Sequence, residues 1–210
     1  MGKLVALILM IWGMTIGDSI AQRPWGAKRD IDFCYRGSYT GIDTIINTDG
    51  YYYLKQDDSS RFDGYSFIFF KDGFFAYSPF SDPNITVKNN GKIMKIDKAI
   101  NGYFVGTYKI DNDTIKAQFS NPPNAMSWAM TELWFEIVNN NTIRAINIPD
   151  NIIKKRAQIR NTATYHREEK QDIVFIPLAK LPNPDDSWIK KRKWFWCEDA
   201  LYNDWMNKNK

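Results

Sequence analysis

The sequence predicts an all-β protein, an antiparallel up-and-down meander that closes into a barrel or a half-open sandwich and ends in a short helix. Three strand pairs support this prediction, because each joins two aromatic or β-branched runs through a short polar turn. The pairs are GYSFIFF-KDG-FFAYSPF, GYFVGTYKI-DND-TIKAQF and TELWFEIV-NNN-TIRAINI.

The first 21 residues have the layout of a secretory signal peptide. Lys3 precedes an apolar run over residues 4–16, and Ser19 and Ala21 are small residues at the usual cleavage spacing. We therefore expect an exported protein, periplasmic or secreted, that begins at Gln22 after cleavage. An uncleaved membrane anchor is the alternative, although a spanning helix needs ~20 apolar residues.

Residues 22–48 are predicted to form an N-terminal lead-in, in which residues 31–39 contribute a first short strand. The β domain is predicted over residues 49–180 and begins with the run Gly-Tyr-Tyr-Tyr-Leu at residues 50–54. In residues 65–70 both alternating faces are largely apolar, which indicates a strand buried on two sides.

The later strands follow from the same signals. In the turn after residue 70, Gly73 is predicted to take the positive-φ position. Two further elements are predicted after residue 148: a basic helix over 152–159, and a hairpin that pairs 162–167 with 172–178.

The C-terminal segment, residues 181–210, is rich in Trp and Lys around the run Trp188 to Trp196. Such a composition binds anionic lipid head groups when it is exposed. Alternatively, the run is a last strand, with tryptophans buried on the barrel and lysines that protect an exposed edge. The net charge of +4 is too small to indicate a nucleic-acid partner.

The sequence contains no recognisable set of catalytic or metal-binding residues. His166 is the only histidine, and no nucleophile motif accompanies it. Glu132 and Glu136 share a strand face but lie ~13 Å apart at strand rise, too far for a glycosidase pair. The sequence therefore predicts no catalytic residue, no cofactor and no metal, and favours a non-enzymatic protein; an envelope hydrolase with an unrecognised site is an alternative.

Two cysteines, Cys34 and Cys197, stand near opposite ends of the predicted mature chain. An even count in an exported protein favours a disulfide. The alternative is two separate small core residues, and the sequence leaves both open.

The hairpin region, over residues 49–148, resembles the small exported lipocalin-like proteins of bacteria. The similar features are Gly50-Tyr51-Tyr52, where a lipocalin has a Gly-x-Trp entry strand, and the strand or turn runs at residues 71–75, 106–110 and 141–143. The resemblance implies a lipocalin-like barrel and transfers no ligand-contacting residue.

We therefore predict a cell-envelope protein whose barrel binds a small apolar ligand in its interior or mouth. The alternative partner is a membrane surface, or another protein, that is contacted through the C-terminal segment. The predicted lining residues, which could equally fill the core, are Phe67, Phe69, Phe104 and Trp134.

Overall fold

The computed structural model describes residues 32–55, 64–78, 87–89, 92–94, 104–120, 130–149, 151–152 and 171–209. The predicted signal peptide, most of the helix predicted over 152–159 and the strand predicted over 162–167 lie outside these residues. The described strands are β1 (Gly50–Lys55), β2 (Gly64–Phe69), β3 (Phe74–Ser78), β4 (Val87–Asn89), β5 (Lys92–Met94), β6 (Phe104–Asp111), β7 (Thr114–Ser120), β8 (Met130–Asn139), β9 (Thr142–Ile146) and β10 (Asp172–Pro177), and they are followed by the helix α1 (Asp199–Lys208).

Eight of these strands form a closed antiparallel barrel in the order β1-β10-β9-β8-β7-β6-β3-β2. β4 and β5 form a separate two-stranded sheet. With these two set aside, each barrel strand lies beside its neighbour in sequence, and β10 returns to pair with β1. The prediction of an all-β, up-and-down barrel with a short C-terminal helix is confirmed.

The local turn signals are also confirmed. Gly73 has a φ of 84° in the turn between β2 and β3, a backbone conformation that glycine adopts without strain. Between β6 and β7 the pairing runs without interruption from Val105 opposite Ser120 to Asp111 opposite Thr114.

Two predicted strands are wrong, for one physical reason. Within the described part of residues 31–39, strand-like pairing is limited to a single bridge between Tyr35 and Trp196. The run from Trp188 onwards forms the 3-10 helices Trp188–Lys191 and Lys193–Phe195 instead of a last strand. The closed barrel offers neither segment a free edge, and their pairing is limited to the one bridge that they form with each other.

Of the hairpin predicted to pair 162–167 with 172–178, the second strand is confirmed as β10. It is paired with β1 on one side and with β9 on the other. Residues 162–167 lie outside the described residues.

The barrel has an apolar layer on each side of its wall. Rings and aliphatic groups fill the interior, where Phe67 and Phe69 lie on β2. The neighbouring residues Ile68 and Phe70 belong to a second cluster outside the barrel, beneath the C-terminal segment. The two-sided apolar pattern of residues 65–70 is thus explained by burial on both faces.

Candidate functional site

The two ends of the barrel differ. At one end, Ile42 and Ile46 of the N-terminal lead-in belong to the interior cluster. The Tyr52 hydroxyl and the Asn47 amide both donate to the Asn140 carbonyl, at 2.8 and 2.9 Å. We call the opposite end, where β1, β3, β7 and β9 finish, the distal end.

An apolar cavity lies inside the barrel at the distal end. It contains about 480 Å³ of unfilled space, counted together with its opening to solvent. Its lining comes from the distal half of the barrel: Leu54, Tyr65, Phe67, Tyr77, Leu133, Trp134, Phe135, Ala145, Ile146, Asn147 and Ile173.

The inner limit of the cavity is a layer of aromatic rings. Phe67 and Phe135 line the cavity, and their ring centroids are 5.1 Å apart in an edge-to-face arrangement. Phe69 lies behind them, 5.7 Å from Phe135 and 5.1 Å from Phe75. The barrel is therefore filled by aromatic side chains in the half around Phe69 and Phe75, and the cavity lies beyond Phe67 and Phe135.

The cavity walls have two different characters. One wall consists of ring faces, because Tyr77 stacks on both Tyr65 and Phe67 with centroid distances of 5.9 and 5.2 Å. A second part of the lining is aliphatic and is provided by Leu54, Leu133 and Ile173. Such a surface attracts apolar groups by contact and by their removal from water.

Among the side chains that the structure describes on the barrel strands, no charged one belongs to the interior cluster. Alternation along each strand directs the charged residues outwards, as with Lys109 and Lys116 on β6 and β7. The deeper polar groups are tyrosine hydroxyls, and burial raises the pKa of both Tyr52 and Tyr108, which keeps them neutral.

The four predicted lining residues have different positions. Phe67 lines the cavity, and Phe69 lies below its inner limit. Phe104 packs on the interior cluster and stacks on Tyr77 at 5.5 Å.

Trp134 borders the cavity, but its indole belongs to the outer face. The indole donates to Glu132 Oε1 at 2.6 Å and lies under the Lys116 ammonium, 4.3 Å from its ring centre. Alternation explains this placement, because Leu133 and Phe135 on either side point inwards. The aliphatic part of the lining was missed because only aromatic residues were considered as candidates. Leu133 could have been predicted, because it is two residues from Phe135 on β8 and therefore shares its face.

Cys34 and Cys197 form a disulfide, with Cα atoms 4.8 Å apart, which decides between the two alternatives that the sequence left open. Backbone hydrogen bonds flank it: the Tyr35 amide donates to the Phe195 carbonyl at 2.8 Å, and the Cys197 amide donates to the Tyr35 carbonyl at 2.9 Å. The bond links the C-terminal segment covalently to the N-terminal lead-in.

Lys190 does not protect a strand edge. Its side chain is 1% exposed, and its ammonium contacts Asp72 Oδ2 at 3.1 Å and Asp185 Oδ1 at 2.9 Å. Burial would raise the pKa of Asp185, but hydrogen bonds from Lys190 and Trp205 outweigh it and lower that pKa below its usual value. This cluster attaches the C-terminal segment to the turn between β2 and β3.

The groups that suggested a membrane contact are largely engaged within the protein. Trp188 and Trp196 are buried in the outer cluster together with the Lys190 side chain. Lys193 is exposed and pairs with Asp199 at 2.8 Å. Membrane docking stays a prediction, and fewer Trp and Lys side chains of the C-terminal segment are exposed for it than the sequence suggested. None of the described helices is long and apolar enough to cross a bilayer.

In the described residues, no group of three His, Cys, Asp or Glu side chains could hold a metal ion. His166 lies outside those residues. Glu132 and Glu136 have different partners, the Trp134 indole and the Arg144 guanidinium. These two carboxylates are thus not paired with each other.

Comparison with known proteins found no match among protein-family models, curated proteins or solved structures.

Proposed function

We propose that the protein is a non-enzymatic, exported cell-envelope protein that binds a small apolar ligand in the distal cavity. The observation that supports this proposal is the cavity itself, an apolar recess in the distal half of a barrel whose other half is filled by aromatic rings. A concave apolar space is the kind of site that binds small molecules.

Two observations favour export. The N-terminal 21 residues have the pattern of a secretory signal. The Cys34–Cys197 disulfide is a bond that persists mainly in oxidising compartments. Together they support an envelope or secreted location, where an apolar molecule needs a soluble binding partner to cross water.

The test is binding of a neutral fluorescent probe, N-phenyl-1-naphthylamine, to the purified oxidised protein. Ala145→Trp places a large side chain in the cavity, whereas Val174→Trp places the same group on the outer face of β10, where Val174 is 51% exposed. We expect Ala145→Trp to weaken probe binding at least about tenfold, or ~1.4 kcal/mol, and Val174→Trp to leave it unchanged.

Equal binding by the two variants, or no binding by the unmodified protein, would contradict the proposal. Leu133→Trp is a second blocking variant in case Ala145→Trp unfolds, and thermal unfolding of every variant separates loss of the site from loss of the fold.

A further inference from the structure

We infer that the cluster around Lys190 is a binding site for a primary ammonium group, and that Lys190 is its tethered ligand. The site consists of two carboxylates and two aromatic rings, those of Asp72, Asp185, Tyr35 and Phe74. This inference is independent of ligand binding in the distal cavity, and it adds a second site whose ligand belongs to a different chemical class.

The ammonium of Lys190 is surrounded by hydrogen-bond acceptors and ring faces. Asp72 Oδ2 lies 3.1 Å and Asp185 Oδ1 lies 2.9 Å from Nζ. The ring centroids of Tyr35 and Phe74 lie 4.7 and 5.0 Å from the same atom, a distance at which a ring face attracts a cation. The Lys190 side chain is 1% exposed, so these groups replace most of the water around the charge.

The groups of the site are held in position by contacts that do not involve the ammonium. The Tyr35 hydroxyl donates to Asp72 Oδ2, and the Phe74 amide donates to Asp72 Oδ1 at 3.1 Å. The Trp205 indole donates to Asp185 Oδ1 at 3.1 Å. Removal of the ammonium should therefore leave the carboxylates and the rings in place, and a preorganised site loses little free energy in rearrangement when a ligand enters.

The arrangement favours a primary ammonium over other cations. Its two acceptors belong to different residues and converge on one point, which suits a compact charge with three N–H donors. A guanidinium is planar and is best bound by two parallel hydrogen bonds to one carboxylate. A quaternary ammonium is attracted by the rings but has no N–H to donate to the carboxylates. The ligand class is therefore an alkyl chain that ends in a primary ammonium.

The ligand and most of its site come from distant parts of the chain. Tyr35 belongs to the N-terminal lead-in and Asp72 to the turn between β2 and β3, whereas Lys190 is carried by the 3-10 helix Trp188–Lys191. The backbone carbonyl of Lys190 accepts the Trp196 indole at 2.8 Å. This contact fixes the backbone independently of the ammonium, so a free alkylammonium ion can take the place of the side chain.

The test is chemical rescue of Lys190→Ala at neutral pH. The substitution removes the side chain beyond Cβ, and n-propylammonium has the same length and the same charged end as the part removed. Thermal unfolding of the oxidised variant is recorded with n-propylammonium chloride, with sodium chloride at equal ionic strength, with neutral 1-propanol and with tetramethylammonium chloride.

We expect only the primary ammonium to restore stability. For a dissociation constant on the order of 10 mM, n-propylammonium at about 0.1 M should raise the folding equilibrium constant about tenfold relative to sodium chloride. Both 1-propanol and tetramethylammonium should change it by less than about twofold. The unmodified protein should not respond to n-propylammonium, because its site is occupied by Lys190.

Three variants test whether the rescue acts through this site. Asp72→Asn in the Lys190→Ala background should remove the rescue. Asp199→Asn is the matched control, because Asp199 is an exposed carboxylate of the same segment that pairs with Lys193, and the rescue should persist in it. Lys190→Arg should be less stable than the unmodified protein, although it keeps the charge.

Four results would overturn the inference: no rescue by n-propylammonium, rescue of equal size by 1-propanol or tetramethylammonium, rescue that persists in Asp72→Asn, or a Lys190→Arg variant as stable as the unmodified protein. If Lys190→Ala is unfolded without added amine, recovery of its circular dichroism on addition of n-propylammonium becomes the measurement, and no recovery counts against the site. Failure of this test would leave probe binding in the distal cavity, and with it the proposed function, unaffected.

Discussion

Removal of the Cys34–Cys197 disulfide should lower the free energy of unfolding by several kcal/mol. The bond joins residues 163 positions apart. For a loop of that length, the chain-entropy relation gives about −17 cal/mol/K, or about 5 kcal/mol at 25 °C. The bond also fixes Tyr35, which packs on Phe195 and Trp196 with centroids 5.2 and 4.7 Å away.

The assay is urea unfolding of the oxidised protein and of the double variant Cys34→Ala, Cys197→Ala, followed by circular dichroism and by tryptophan fluorescence. With a denaturant dependence of about 2 kcal/mol/M, the midpoint should fall by about 2.5 M. The reduced unmodified protein should behave like the double variant, and this comparison controls for the substitutions themselves.

A midpoint shift below about 0.5 M, or ~1 kcal/mol, would refute the entropic reasoning. The two probes add a second criterion, because Trp188 and Trp196 belong to the C-terminal segment, are buried in the outer cluster and report on the attachment of that segment. Coincident transitions in the oxidised protein would mean that segment and barrel unfold as one unit. In the double variant, a fluorescence change that precedes the loss of β structure would show that the disulfide holds the segment in place.

Three further predictions concern other parts of the fold. Lys190→Ala should destabilise the protein by about 2–3 kcal/mol, because it removes a buried cation and leaves Asp72 and Asp185 without their partner. The control is Lys191→Ala, at an exposed position, which should change the stability by less than about 0.5 kcal/mol. Thermal unfolding of the two variants measures the difference. The pKa of Asp185 is lower in the folded protein than in the unfolded chain, so its ionised carboxylate contributes to the free energy of unfolding above pH ~4. This contribution is lost as the pH falls below that value. Asp185→Asn should therefore make the urea midpoint less dependent on pH in the acid range. Gly106→Ala should cost about 1–3 kcal/mol, measured by thermal unfolding, because a Cβ at this position would lie 1.9 Å from a backbone carbonyl oxygen of β7.

The strands could be predicted because their signals are local. The turn after residue 70, with its positive-φ Gly73, and the turn at Asn112 between β6 and β7 are each specified by a few adjacent residues. Alternation then determines which side chains share a face, and this rule places Phe67 and Phe69 together in the interior.

The position of the cavity in the distal half and the C-terminal cluster could not be predicted, because both depend on contacts between distant parts of the chain. The pairing of β1 with β10 closes the barrel and leaves no edge for the run that begins at Trp188. The burial of Lys190 requires Asp72, which is 118 residues away. Trp134 was misplaced for a simpler reason: it was taken as a lining residue because it is aromatic, whereas the alternation of β8 places its indole outside.

The most direct test of ligand binding is native mass spectrometry of the protein purified from its own envelope, recorded before and after denaturation. The account predicts an added small mass that is lost on unfolding and is absent from Ala145→Trp purified in the same way, on a mature chain that begins at Gln22. A bare chain from the native source, or an added mass that Ala145→Trp retains, would contradict binding in the distal cavity.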